Sequence, residues 1–461
     1  MPDFRQLLNA LDTHGELLRV SRTVDRQFEL PALLKQAEQR RKAILFSSVA
    51  DSPFPVAGGL LTGGARFATA LGRQPAAGYG VEEHRADVSR ALAAPLSTIQ
   101  VDDAPCQQVK AAVAGSNGAS VDCDALPVPT CFEGDTGPFL TAAAGISRNP
   151  DNGVINAGIY RVLMLGGDRM VVSIGPGSDL LRFLATNRAA GKPTEVAFVI
   201  GANPAVLMAA AAKVPAEISE LDVAGALIGE PLPVTAAEQL DLPVPADSEF
   251  VLETVIEGDE VMPNVMGEFG DLYGGRDGPV ARAVALTHRR EPVFHTIMAG
   301  AGKEHNSLGM IILYAIEPEL RESLRSSHPD VTDVCVVFEP PKMGMTGEVR
   351  VQLRRGSTVD GEALVRHVLG LRAGGYDLAR VLRKVVLVDD DVDVSRSADV
   401  TWAINNRALS TDRFIFIDDL PLPGVGLRRG IDTRVAEADY EALQRLVIPG
   451  SEAVLLDDYL D

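Results

Sequence analysis

From Val109 to about residue 300 the chain strings β-rich runs one after another, VINAGIYRVLML, MVVSIG, TEVAFVIG, EFVLETVIEG and PVFHTIMAG, with Gly and Pro between them. Several follow each other with no helix in between. That argues for a barrel-like sheet more than a doubly wound one, because parallel strands need a crossover helix at each step. The flanking regions read differently. Phe4, Leu7, Leu8 and Leu11 recur at helical spacing, Gly15 stops that helix and Leu17 to Val20 starts a strand. A helical stretch near 29 to 40 leads into the strand AILF, which gives a small α/β cap closing near residue 105. After residue 305, DVCVVFEPP, EVRVQLRR, a helix near 361 to 370 and KVVLVDDD predict a separate α/β layer. A chain of 461 residues is long enough for two or three such domains.

The balance of 43 basic against 63 acidic residues gives a formal charge of −20. Such a surface repels nucleic acid and anionic membranes. The four cysteines, at 106, 123, 131 and 335, show no CxxC spacing and are too sparse for a disulfide scaffold, so a cytoplasmic protein is expected. The N-terminal MPDFRQLLNALDTHGELL mixes charges into an amphipathic helix and lacks the apolar run of a signal peptide. No stretch of about 20 apolar residues is present to span a membrane.

Chemistry concentrates in GVINAGIYR, 153 to 161. An apolar strand there delivers an amide, a phenol and a guanidinium to one place. Alternation puts Asn156 and Tyr160 on one side, with Arg161 on the other unless the strand bulges or turns. A guanidinium grips carboxylate bidentately, so Arg161 suits an acid substrate; a structural ion pair is the other reading. MVVSIGPGSDLLRFLATNRAAG, 170 to 191, runs from a strand through a Gly-rich turn into a helix opened by Ser178 or Asp179. That helix start can hold phosphate, or Ser and Asp can simply cap it. GEFGDLYGG, 267 to 275, places Glu268 and Asp271 in a Gly-flanked turn where two acids can divide roles, one ionised and one holding a proton. FHTIMAGAGKEHN, 294 to 306, clusters His295, Lys303 and His305 as candidate lining of an acid pocket. The run Asp389 to Asp391 follows an apolar strand and reads as its cap, not as a metal cluster.

The stretch DTGPFLTAAAGISRNPDNGVINAGIYR, 135 to 161, resembles the UbiD family of decarboxylases. DFRQLLNALDTHGELLRV at 3 to 20, AILFSSV at 43 to 49, RFATALG at 66 to 72 and VVLVDDDVDVSRSADVTWAINNR at 385 to 407 are similar to family signatures in the family's order. The resemblance implies an α/β (α+β) chain in three parts: an N-terminal α/β cap over 1–105, a split β-barrel binding prenylated FMN over 106–305, and a C-terminal α/β oligomerisation domain over 306–461. It further implies reversible, non-oxidative decarboxylation of an aromatic, heteroaromatic or α,β-unsaturated acid through a covalent prenylated-flavin adduct, with CO2 as the second product. A flavin prenyltransferase would supply the cofactor, and a homodimer or homohexamer is expected.

Carried over residue by residue, the resemblance gives the cofactor Asn156, Gly158, Ile159, Tyr160, Arg161 and Ser178. Arg161 orients the substrate, Asp271 donates the proton, and His295, Lys303 and His305 lie in a region that shapes substrate choice. Two departures stand out. The acid normally five residues before the donor falls on Met266, with Glu268 displaced two positions on. The family's divalent metal, Mn or Mg with K+ nearby, is held by Asn, His and Glu. Asn156 keeps the first position, the His position falls near Ser178 or Asp179, and the Glu position falls on Pro233, so the metal site reads as degenerate, with Asp179 or Glu230 as candidate replacements. Those departures motivate a second reading, a non-catalytic structural subunit of a carboxylase complex.

Overall fold

Strand Thr194–Ile200 sets the pattern for the middle of the chain. Val196, Phe198 and Ile200 join one hydrophobic cluster with Leu180 and Phe183, while Ala197 and Val199 join another with Ala144, Val206 and Val223. Period-two alternation thus feeds two cores, one on each face, and the run reads as continuously apolar because neither face meets water. These contacts come from a computed structural model that describes residues 2–73, 80–113, 121–175, 177–267, 273–275, 277–300, 302–337, 347–373, 376–378, 382–417 and 428–443. The chain divides into two units, Met1–Ala315 with Phe338–Gly344, and Ile316–Val337 with Met345–Asp461.

In the first unit a nine-stranded antiparallel sheet runs, neighbour to neighbour, Phe139–Leu140, Val162–Gly166, Arg169–Val172, Asp277–His288, Phe250–Pro263, Thr194–Ile200, Ala143–Arg148, Ile155–Ile159. Val109–Val113 also pairs with Asp277–His288. The order has a geometric consequence. Ile155–Ile159 ends the ladder on one side, yet only Tyr160 and Arg161 separate it from Val162–Gly166 near the other end. Three peptide steps span at most roughly 11 Å. Thr141 and Ala142 make a second such link, between Phe139–Leu140 and Ala143–Arg148. Two short links between opposite ends force the sheet to curl until its edges nearly meet, which is the barrel-like sheet expected from the sequence, split along one seam.

The helices and strands read near the N-terminus form. Helix Phe4–Thr13 is capped by Asp3, whose carboxylate accepts from the Gln6 N–H at 2.7 Å, and buries Phe4, Leu7, Leu8 and Leu11. Leu17–Val20, Ala43–Phe46 and Val56–Gly58 form a sheet whose fourth strand, Phe294–His295, comes from the far end of the barrel segment.

The second unit carries a five-stranded sheet in the order Val331–Val337, Gly347–Leu353, Leu382–Asp389, Arg428–Asp432, Phe414–Ile417, with helices Gly361–Gly370 and Ser397–Arg407. Its acidic run does structural work. Asp389 ends its strand and accepts from the Val435 N–H at 2.8 Å, and both oxygens of Asp391 take the Arg407 guanidinium at 2.9 and 2.6 Å. All four cysteines are free thiols.

Candidate active site

The seam of the barrel falls on the residues singled out by the sequence. Strand Ile155–Ile159 stops before Tyr160, so Tyr160 and Arg161 form the link itself instead of its last strand positions. Arg161 is half-buried, and its carbonyl accepts from the Ser173 N–H at 3.0 Å, which fixes the backbone of the link. Tyr160 is buried at 7% exposure. Its ring lies on two glycines: a Cβ at Gly158 would sit 2.7 Å from the phenolic oxygen, and one at Gly145 would sit 2.8 Å from the ring. Gly158 therefore serves the site by leaving room for Tyr160. Burial pushes the phenol up, with the carboxylates of Glu220 and Asp179 adding to the shift and hydrogen bonds to the Leu180 backbone and Ser178 opposing it.

Tyr160 thus meets the start of helix Asp179–Ala189. Ser178 is its N-cap and accepts from the Leu181 N–H at 3.3 Å. Gly177 before it has φ of +90°, a left-handed conformation that favours glycine. No described residue comes within 4 Å of a Cβ built at Gly175.

Asn156 brings in a residue that the sequence reading missed. Its amide donates to Oε1 of Glu220 at 3.0 Å, and the Ala157 N–H donates to Oε2 at 2.8 Å. Glu220 is 5% exposed. Burial, aided by the charge of Asp179, pushes its carboxyl up to about 8, against the pull of the Ala157 N–H and of Lys213. Asp179 lines the same cavity as Asn156 and Glu220, and lies 3.1 Å from the Lys213 ammonium. Pro233, where the family's Glu was expected, sits instead on a strand paired with Ile99. The acid beside Asn156 is Glu220, 64 residues along the chain.

Glu268 and Asp271 lie outside the described residues. The residues on either side are described: Met266 pairs with Gly274 and Gly267 with Tyr273. Met266 is 3% exposed in an apolar cluster with Phe139, Leu163 and Val171. Its side chain fills core volume at the position of the family's acid.

The His295 segment turns inward. His295, 2% exposed, places Nε2 3.0 Å from Glu304, whose carboxylate also accepts from the N–H groups of Leu60 and Leu61 at 3.0 Å each. Lys303 starts helix Lys303–Met310, and its N–H donates to Glu38 at 2.7 Å. His305 places Nδ1 3.5 Å from the Gly300 carbonyl. His295 and the Lys303 backbone are thus engaged by carboxylates that tie this segment to the cap.

Glu38 in that network gives a pH prediction. Burial pushes it from 4.5 up to about 7, Glu304 adds to the rise, and the N–H groups of Lys303 and Glu304 oppose it. The folded state then holds the proton more tightly than the unfolded chain between pH 4.5 and about 7. Stability from this group is greatest below the window and is lost as pH rises through it. Relative to Glu38→Gln, the wild type should lose on the order of 1–3 kcal/mol across the window. Denaturant unfolding of both proteins at several pH values measures the difference, and a pH-independent difference would sink the assignment.

Three family models match in chain order: the 3-octaprenyl-4-hydroxybenzoate carboxy-lyase N-terminal domain over residues 8–80, its Rift-related domain over 98–302 and its C-terminal domain over 309–423. An uncharacterised protein in the cooM 5′ region of Rhodospirillum rubrum is 30% identical over 414 residues, covering 88% of this chain and 83% of that protein. The chain belongs to the UbiD family.

Among solved UbiD-class enzymes, HmfF from Pelotomaculum thermopropionicum is 30% identical to this chain. An evolved dimeric form in complex with prFMN superposes with a TM-score of 0.78 over 100% of both chains. A structure of HmfF with FMN gives 0.80 over 99% and 100%. Vanillic acid decarboxylase from Sedimentibacter hydroxybenzoicus shares the fold at 22% identity, with a TM-score of 0.78 over 100% of this chain and 98% of that one.

UbiD membership sharpens the test of the metal position. Asn156, Asp179 and Glu220 offer an amide and two carboxylates, hard oxygen donors of the kind Mg²⁺ and Mn²⁺ take. Two neighbouring acids, one of them buried and pushed up to about 8, make a place that a divalent cation would relieve. The donor set fits the ion, with Asp179 in place of an imidazole.

Proposed function

We propose that this chain is a prenylated-FMN-dependent decarboxylase that acts reversibly and non-oxidatively on an aromatic, heteroaromatic or α,β-unsaturated carboxylic acid. The observation that carries the reading is the seam of the barrel, where Arg161 follows directly on Tyr160 and Asn156, on the adjoining strand, donates to Glu220 at the start of a helix. The bound cofactor supplies the covalent electron sink that no side chain offers for the electron pair left on an sp² carbon by departing CO2. Arg161 grips the substrate carboxylate, and Ser178 with the helix start behind it holds the cofactor phosphate. Asn156, Asp179 and Glu220 would hold Mg²⁺ or Mn²⁺, whose charge would offset that of the phosphate. Asp271 delivers the proton that replaces CO2, with Glu268 as its acidic partner, and the 294–306 segment shapes substrate choice. The carboxylate of Glu220 beside Asn156 supports this reading over that of a non-catalytic subunit. In this reading a flavin prenyltransferase supplies the cofactor and copies of this chain form a homodimer or homohexamer. Among the described residues no helix is long and apolar enough to cross a membrane.

The test is protein co-produced with a flavin prenyltransferase, its absorbance spectrum, and CO2 release from a panel of aromatic and α,β-unsaturated acids. Prenylated flavin with turnover of an acid is the expected result. Protein that binds no flavin under these conditions would favour the subunit reading. A separate prediction concerns the metal: Glu220→Ala should weaken Mn²⁺ binding by at least the roughly tenfold that loss of even an outer partner of a ligand costs. Metal content after dialysis measures it, and unchanged content would remove Glu220 from the site.

A further inference from the structure

The stretch Asp135 to Thr141 contributes no group to the site as described, yet its side chains and backbone reach three segments that matter. Asp135 uses both carboxylate oxygens. Oδ1 accepts from the Gly267 N–H at 2.7 Å, and Oδ2 accepts from the N–H groups of Cys131 at 3.2 Å and Phe132 at 2.9 Å. Thr136 makes a pair of side-chain hydrogen bonds with Val265, accepting from its N–H at 2.8 Å and donating to its carbonyl at 3.1 Å. The Tyr273 hydroxyl accepts from the Gly134 N–H at 2.9 Å. Gly267 and Tyr273, which flank residues 268–272 in the chain, are therefore both held by one segment. At its other end, Thr141 donates to the Ile297 carbonyl at 2.6 Å and accepts from the Ile297 N–H at 3.2 Å, two residues beyond His295. Between the two, Phe139–Leu140 pairs with Leu163 and Val162, directly after Arg161.

We infer that Asp135 and Thr141 are positioning residues, Asp135 for Gly267, four residues before Asp271 in the sequence, and Thr141 for the segment proposed to shape substrate choice. The chemistry explains the residue types. A carboxylate can accept on both oxygens, whereas an asparagine offers one acceptor and one NH2, so it cannot hold Gly267 and the Cys131–Phe132 pair together. A hydroxyl both donates and accepts, as the paired bonds from Thr141 to one residue require. The roles assigned to the two segments rest on the proposed decarboxylase function; the anchoring does not.

The test compares holoenzyme with Asp135→Asn, Tyr273→Phe and Thr141→Val. Asp135→Asn should lower kcat by roughly tenfold to a hundredfold with KM within about twofold, the cost of misplacing a catalytic group. Tyr273→Phe, at a ring 55% exposed and hence safe for folding, should do the same by roughly threefold. Thr141→Val should instead raise KM, roughly tenfold, with kcat within about threefold. Hydrogen exchange reads the anchors without any turnover: amides at 264–267 should exchange faster in the first two variants only, and amides at 296–298 in Thr141→Val only. Unchanged exchange, or one uniform loss of kcat and flavin in all three, would overturn the inference. If no acid is turned over by the wild type, the decarboxylase reading fails while the exchange pattern still decides whether the anchors exist.

Discussion

Arg161→Ala should lower kcat/KM for the acid substrate by roughly 10²- to 10⁴-fold, since two charge-assisted hydrogen bonds to a carboxylate, at about 1.5–3 kcal/mol each, are lost together. The backbone cannot compensate. Arg161 sits on a two-residue link between opposite ends of the barrel ladder, and its carbonyl is held by Ser173. Arg161→Lys should recover only part of the loss, because an ammonium is a point charge that cannot match both oxygens of a carboxylate in one plane. Steady-state kinetics of the three proteins, with flavin content measured on the same samples, check this. A lysine variant as active as wild type would mean that only charge matters there, and an alanine variant above half of wild-type activity would remove Arg161 from substrate binding.

Much of the architecture was legible because burial wrote a periodicity into the sequence. Phe4, Leu7, Leu8 and Leu11 announce a helix, and the TEVAFVIG run announces a strand buried on both faces. The seam could be located only in part. Asn156, Tyr160 and Arg161 stand close in sequence, so their proximity was readable, but the strand end at Ile159 that turns the last two into a link was not. Glu220 was hidden for a different reason. It follows Ser219, which caps helix Glu220–Ile228 by accepting from the Leu221 N–H at 3.3 Å, so the pair looks like an N-cap and an acid in the first turn of any helix. The one available signal was context: the helix continues as VAGALI, and an acid heading so apolar a stretch is apt to be buried. Glu38 and Glu304 share that disguise, each on an otherwise ordinary helix and each buried against backbone N–H groups from distant segments. Carboxylates that bind backbone leave no pairing residue in the sequence to reveal them.

Asp271→Asn should cost kcat about 10²- to 10⁴-fold, the usual range for removing a general acid, with substrate affinity within a few fold. The asparagine keeps size and polarity and loses only the transferable proton. Because protonation follows loss of CO2 in the proposed order, the variant should release at most about one CO2 per site and then stall, whereas loss of a binding residue would leave no such burst. Glu268→Gln separates the two acids of the turn. As a partner whose negative charge keeps the donor protonated, Glu268 should when neutralised move the alkaline limb of the kcat profile to lower pH without abolishing turnover. If instead Glu268→Gln stalls after one CO2 and Asp271→Asn turns over freely, the donor is Glu268. With Met266 buried in the apolar cluster at the position of the family's first acid, the turn would then have moved its proton donor three residues toward that position.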